Sequence, residues 1–185
     1  MKKRACIHPR KVRNVMKQFL NEICDLTYTC NSPVKPSDPI AIEVRKGKQF
    51  CAEGIDTVDD AVNGVLNIYY NLDQLNHKVT KIFRSYWTAE NSMLKGFSDV
   101  TLALLHELGH FATADEIRET FTFADRTLAM MAIRNNCHDL KSANYAYYKM
   151  PDETAATEWA INWLSDAENR KKAKAFEKKF FACFE

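Results

Sequence analysis

Two histidines four residues apart with a glutamate beside the first, His106, Glu107 and His110 in "TLALLHELGHFAT", are the residues of this chain best placed to do chemistry. In an α-helix residues four apart share a face, so the two imidazoles stand side by side and can hold one zinc ion. Glu107 lies on the neighbouring edge of that face, where a carboxylate can take a proton from a metal-bound water without itself ligating. The competing reading is structural: a pair of satisfied histidines on a buried helix, with Glu107 as a surface charge. Leu104, Leu105, Leu108 and Phe111 make much of this helix apolar and are compatible with it. A third ligand separates the two readings, because catalytic zinc is usually held by three protein groups and a water.

Glu153 is the preferred third ligand. It lies in "MPDETAATEWAINWL", on the apolar stripe of Ala156, Trp159, Ala160 and Trp163, where an unpaired carboxylate is costly and a metal would compensate it. Its ordinary alternative is a first-turn acid facing solvent beside the helix dipole. Glu158 falls on the polar face with Thr154, Asn162 and Ser165. Glu116 is a further alternative, at the sixth position after His110, where metzincins place a third histidine, but Thr113 stands where their turn glycine is expected. His138 in "NNCHD" reads as a loop or cap residue, and His8 and His77 show no supporting pattern.

The elements that would position these groups follow from periodicity. Val12, Met16, Leu20 and Ile23 recur at helical spacing and open the chain with an amphipathic helix from about Pro9 to Cys24. Three prolines in "CNSPVKPSDP" end it. "IAIEVRK" alternates as a strand, a turn around Gly47 suggests a hairpin with "QFCAE", and "VLNIYYN" (65–71) is a further strand. Ser98 or Asp99 can cap a helix running to about Ala112. A second helix from about Asp115 carries Ile117, Phe121, Ala124, Leu128 and Met131 on one stripe. Pro151 starts another, with Asp152 and Glu153 in its first turn. A last helix, partly basic, spans about 167–183. The order is an N-terminal helix, a small sheet, then an active-site helix and a helical C-terminal half, which reads as a single α+β domain over 1–185.

At 185 residues, with 46% hydrophobic and 27% charged side chains, the chain has the balance of a globular protein. The net charge of +2 does not call for nucleic acid. Lys2, Lys3, Arg4, Arg10, Lys11, Arg13 and Lys17 do cluster ahead of the first acid, but without the aromatic or glycine pattern of a nucleic-acid module, so a solvated face is preferred. There is no apolar signal core and no run near the roughly 18 residues of a membrane span. The six cysteines form no CxxC pair and read as reduced thiols, so a cytoplasmic protein is expected.

Taken together, "NIYYN", "TLALLHELGHF" and "ETAATEWAINWL" resemble the ImmA/IrrE group of zinc metallopeptidases, whose pattern is a strand ending near Asn, HELGH on a helix and a later ExxANxFA helix. His106, Glu107 and His110 match directly, and Glu153 matches the acidic ligand. Ala156 stands in the alanine place, Trp159 and Ala160 in place of Phe and Ala, and Thr157 in place of the usual Asn. The separation of His110 from Glu153 is longer than usual in that group. The resemblance covers about residues 65–165 and implies a zincin-like fold and a zinc-dependent endopeptidase. In it Glu107 activates the zinc-bound water that attacks the peptide bond. It also implies a protein or peptide substrate, in relatives a DNA-binding regulator. Tyr145, Tyr147 and Tyr148 are candidates to stabilise the oxyanion, and an extended peptide would add along a sheet edge such as "VLNIYYN" or the hairpin. The alternative function is a non-catalytic, metal-bearing module that grips a regulatory protein without cutting it.

Overall fold

The computed structural model describes residues 9–27, 41–45, 55–60, 65–71 and 92–184. Helix α1, Pro9–Thr27, buries Val12, Met16, Phe19, Leu20 and Ile23 and leaves Arg10, Lys11, Arg13 and Lys17 exposed. The basic cluster, as far as it is described, is therefore a solvated helix face; Lys2, Lys3 and Arg4, like His8 and His77, lie outside the described residues.

Three short strands follow: β1 Ala41–Arg45, β2 Ile55–Asp60 and β3 Val65–Asn71, in the order β1-β3-β2. β1 runs parallel to β3, with Ile42 opposite Ile68, and β2 runs antiparallel to it, with Thr57 opposite the same Ile68. The expected hairpin partner of β1, "QFCAE", lies outside the described residues. One expectation is corrected here. β3 is the central strand and not an open edge, so a peptide cannot add along it. Its density of branched and aromatic residues suits the doubly flanked position. β2, "IDTVDD", was missed because its acids hide any alternation.

After a short 3-10 turn at Ser92–Gly96 the chain is helical: α2 Asp99–Ala112, α3 Ala114–Thr120, α4 Phe123–Asn136, α5 Leu140–Tyr148, α6 Pro151–Ser165 and α7 Ala167–Phe181. The α+β, zincin-like class is corrected to a helical fold, because helices carry most of the described residues and the three strands are only five to seven residues long. The core formed by the described side chains comes from α1, the 3-10 turn, α2, α5, α6 and α7, and the short strands contribute backbone pairing beside it. Phe19 stacks on Phe176 of α7 at 4.4 Å and meets Trp163 of α6 edge-on at 6.0 Å, which ties the first helix to the last two. No described helix is long and apolar enough to cross a membrane.

The helix expected from Asp115 is divided. Thr122 accepts a hydrogen bond from the Asp125 amide at 3.2 Å, and Asp125 accepts one from the Thr122 amide at 2.9 Å, a capping box that starts α4 afresh. Nor is its apolar stripe a core face: Leu128 and Met131 are exposed, and no residue of α4 is buried.

Two devices set the helices that matter for the site. Ser98 caps α2 as expected, and from the far end of the sequence Glu177 of α7 supplements it. One oxygen of Glu177 accepts from the Ser98 amide and from the Thr101 hydroxyl (2.9 Å), while the other pairs with Lys174 at 2.7 Å. A buried carboxylate thus meets the positive end of the α2 dipole. At the α6–α7 junction Asp166 accepts from the amides of Glu168 and Asn169 at 2.8 and 3.0 Å, and Arg170 donates back to the Leu164 and Ser165 carbonyls at 3.1 and 2.6 Å.

Candidate metal centre

Helices α2 and α6 pack along one another more extensively than any other helix pair. Their closeness depends on two small residues. A Cβ placed on Gly109 would lie 2.4 Å from the Ala156 carbonyl oxygen, so glycine is required for backbone to meet backbone. Ala156 is one turn from Glu153, and Gly109 adjoins His110. The glycine of HELGH therefore brings the third candidate ligand to the first two.

The donor atoms converge. One oxygen of Glu153, Oε2, lies 3.1 Å from His106 Nε2 and 3.4 Å from His110 Nε2. The two imidazoles meet edge-on with centroids 4.7 Å apart. One ligand atom from each of the three residues lies within 4.8 Å of the others, a possible metal-binding triad and the one such group among the described residues. The side chains of His106 and Glu153 are 2% exposed and that of His110 24%, so the group opens to solvent on the His110 side. Of the competing ligands, Glu116, His138 and Glu158 are all exposed and stand outside the triad. Glu107 is buried, and its charge acts on His110.

The surroundings of Glu153 and His106 favour the protonation states a cation needs, whereas those of His110 favour its protonated form, whose proton a cation would have to displace. Burial alone would raise the Glu153 pKa, but hydrogen bonds and charge interactions with His106 and His110 outweigh it and hold the carboxyl far below its ordinary range. Burial lowers His106 and keeps it neutral, as a metal ligand must be, with Glu153 only partly opposing. Burial also acts to lower His110, but the Glu153 hydrogen bond and the charges of Glu153 and Glu107 prevail and raise it. Two neutralisable imidazoles and one ionised carboxylate, gathered in a largely buried cluster, form a donor set that fits a divalent cation.

Further residues orient this set. The Thr157 hydroxyl lies 3.2 Å from His106 Nδ1 and fixes the ring with Nε2 toward Glu153. Arg126, from α4, donates through Nη2 to the other Glu153 oxygen, Oε1, at 3.2 Å, and to the Tyr147 hydroxyl at 3.3 Å; Nη1 pairs with Asp152. Thr157 could have been found from the sequence, since it follows Glu153 by four residues and shares its face. Arg126 carried no such signal, because it reaches the site from a helix with no buried stripe. Among the three tyrosines, Tyr147 stands at the site. Burial, then the charge of Glu153, push its pKa above the ordinary phenol value, which keeps the hydroxyl protonated. Tyr148 is buried in the core, and Tyr145 is exposed beside Lys149.

Comparison with known proteins finds no match among family models, curated proteins or solved structures. The likeness to the ImmA/IrrE group rests on the quoted motifs alone.

Proposed function

We propose that this protein is a zinc-dependent endopeptidase of ImmA/IrrE type that cleaves a protein or peptide partner. The observation that carries the reading is the convergence of His106, His110 and Glu153 on one buried point, with Glu107 on the same helix. Two imidazoles and a carboxylate suit zinc, and three protein ligands leave a position open for catalysis. Zinc held there would supply Lewis acidity toward a scissile carbonyl and lower the pKa of a bound water toward about 7.

The chain's own groups divide the remaining work. Glu107 accepts a proton on its carboxylate and returns it to the leaving amine. Tyr147, kept protonated, offers an O–H donor at the edge of the site, a suitable partner for charge developing on a carbonyl oxygen. The partially exposed edge of His110 is the side from which a peptide would approach. A regulatory DNA-binding protein is the substrate class that the motif resemblance suggests.

A second reading is a metal-bearing module that holds a partner without cutting it. The apolar side chains of Phe123, Leu128 and Met131 on α4, exposed on the helix that also supplies Arg126, favour it. Glu107→Gln separates the two. The enzyme reading requires zinc content to persist while hydrolysis of internally quenched peptides, or of a captured partner, is lost. Unchanged hydrolysis in that variant overturns the assignment of Glu107. Partner binding with no cleavage by either protein favours the holding module.

A further inference from the structure

We propose that Arg126 is a positioning residue of the metal centre: it occupies one oxygen of Glu153 so that the other alone is presented to the cation. This inference rests on the metal-site reading above and goes beyond it, since Arg126 lies in neither motif that carries the resemblance.

The geometry divides the carboxylate. Oε2 faces the two imidazoles at 3.1 and 3.4 Å, and Oε1 faces Arg126 Nη2 at 3.2 Å. The guanidinium is itself held on several sides. Nη1 pairs with Asp152, Nη2 also reaches the Tyr147 hydroxyl at 3.3 Å, and the guanidinium carbon lies 5.7 Å from the Tyr147 ring centroid. A planar fork anchored to an adjacent acid and a tyrosine has little freedom to release Oε1. α4 buries no residue, so the reach of Arg126 to α6 is not a by-product of core packing. It is a directed ionic contact onto the candidate ligand.

Charge and position predict opposite effects on binding, which makes the inference testable. A cation beside a divalent ion repels it, so a purely electrostatic role would make zinc bind more tightly once Arg126 is removed. A positioning role makes zinc bind more weakly, by the 10- to 100-fold typical when the partner of a metal ligand is lost. Arg126→Lys separates these further, because it keeps the charge and removes the fork.

The experiment is zinc affinity by competition with a chromophoric chelator, for wild type, Arg126→Gln and Arg126→Lys, together with the visible spectrum of the cobalt-substituted proteins. The expected result is about 10- to 100-fold weaker zinc in Arg126→Gln, weaker zinc also in Arg126→Lys, and a cobalt spectrum altered in both. If Arg126→Gln does not fold by circular dichroism, Arg126→Lys and Tyr147→Phe carry the same comparison. Equal or tighter zinc binding with an unchanged cobalt spectrum overturns the inference and leaves the metal site standing. A wild-type protein that takes up neither zinc nor cobalt overturns both.

Discussion

Gly109 and Ala156 meet backbone to backbone, so closely that a Cβ on Gly109 would lie 2.4 Å from the Ala156 carbonyl oxygen and 2.9 Å from its carbonyl carbon. The contact joins the helix of His106 and His110 to the helix of Glu153. Glycine in a helix interior is ordinarily replaced by alanine with a gain of about 1 kcal/mol. Here Gly109→Ala has the opposite sign: it forces α2 and α6 apart, lowers stability by about 1–3 kcal/mol and weakens metal binding. Urea unfolding of the metal-free protein, beside a zinc competition titration, checks both effects.

The third ligand is tested by a contrast between two glutamates. Glu153→Ala removes the buried carboxylate between the imidazoles and abolishes stoichiometric metal binding. Glu116→Ala touches an exposed side chain outside the triad, so metal content is kept and stability changes by no more than about 0.5 kcal/mol. Elemental analysis of the two variants gives the answer, and equal metal loss in both would remove the distinction between them.

Thr157→Val keeps the shape of the side chain and deletes the hydroxyl that stands 3.2 Å from His106 Nδ1. With that ring no longer oriented, zinc affinity falls about 10- to 100-fold. Chelator competition measures the loss, while an unchanged circular dichroism spectrum shows that the helices remain.

Glu177 gives a pH dependence away from the metal centre. Burial works to raise its pKa, but Lys174, the Ser98 amide and hydroxyl and the Thr101 hydroxyl outweigh it, so the folded-state value lies below the unfolded one. The sign follows: its contribution is fully present above the ordinary carboxylate value of about 4.3 and is lost as pH falls through the depressed folded value. Glu177→Gln therefore costs about 1–3 kcal/mol at neutral pH, and the gap to wild type closes progressively in acid. Thermal melts of both proteins between neutral and strongly acid pH test this; a constant gap contradicts it.

The candidate ligands were legible because a single helical period fixes His106 and His110 on one face, and because an acid on the apolar stripe of α6 had to be paired. The same periodicity located α1, α2 and α6, and the cap at Ser98 and the proline at 151 marked two starts. Sheet pairing was not legible in this way. Which strand takes the centre depends on partners distant in sequence, so neither the central place of β3 nor the parallel pairing of β1 with it follows from local pattern. α4 misled for a different reason: its apolar spacing suggests a core face, yet nothing described covers Leu128 or Met131. Arg126 and Glu177 act across long sequence separations, through ionic contacts that leave no local pattern.

Whether His106, His110 and Glu153 hold a catalytic zinc is decided by counting zinc per chain in untagged protein, before and after reconstitution, beside His106→Ala. About one zinc per wild-type chain and essentially none in the variant is the expected result. A wild-type protein without metal even after zinc is supplied would contradict it, and would return the two histidines and Glu153 to a hydrogen-bonded core cluster.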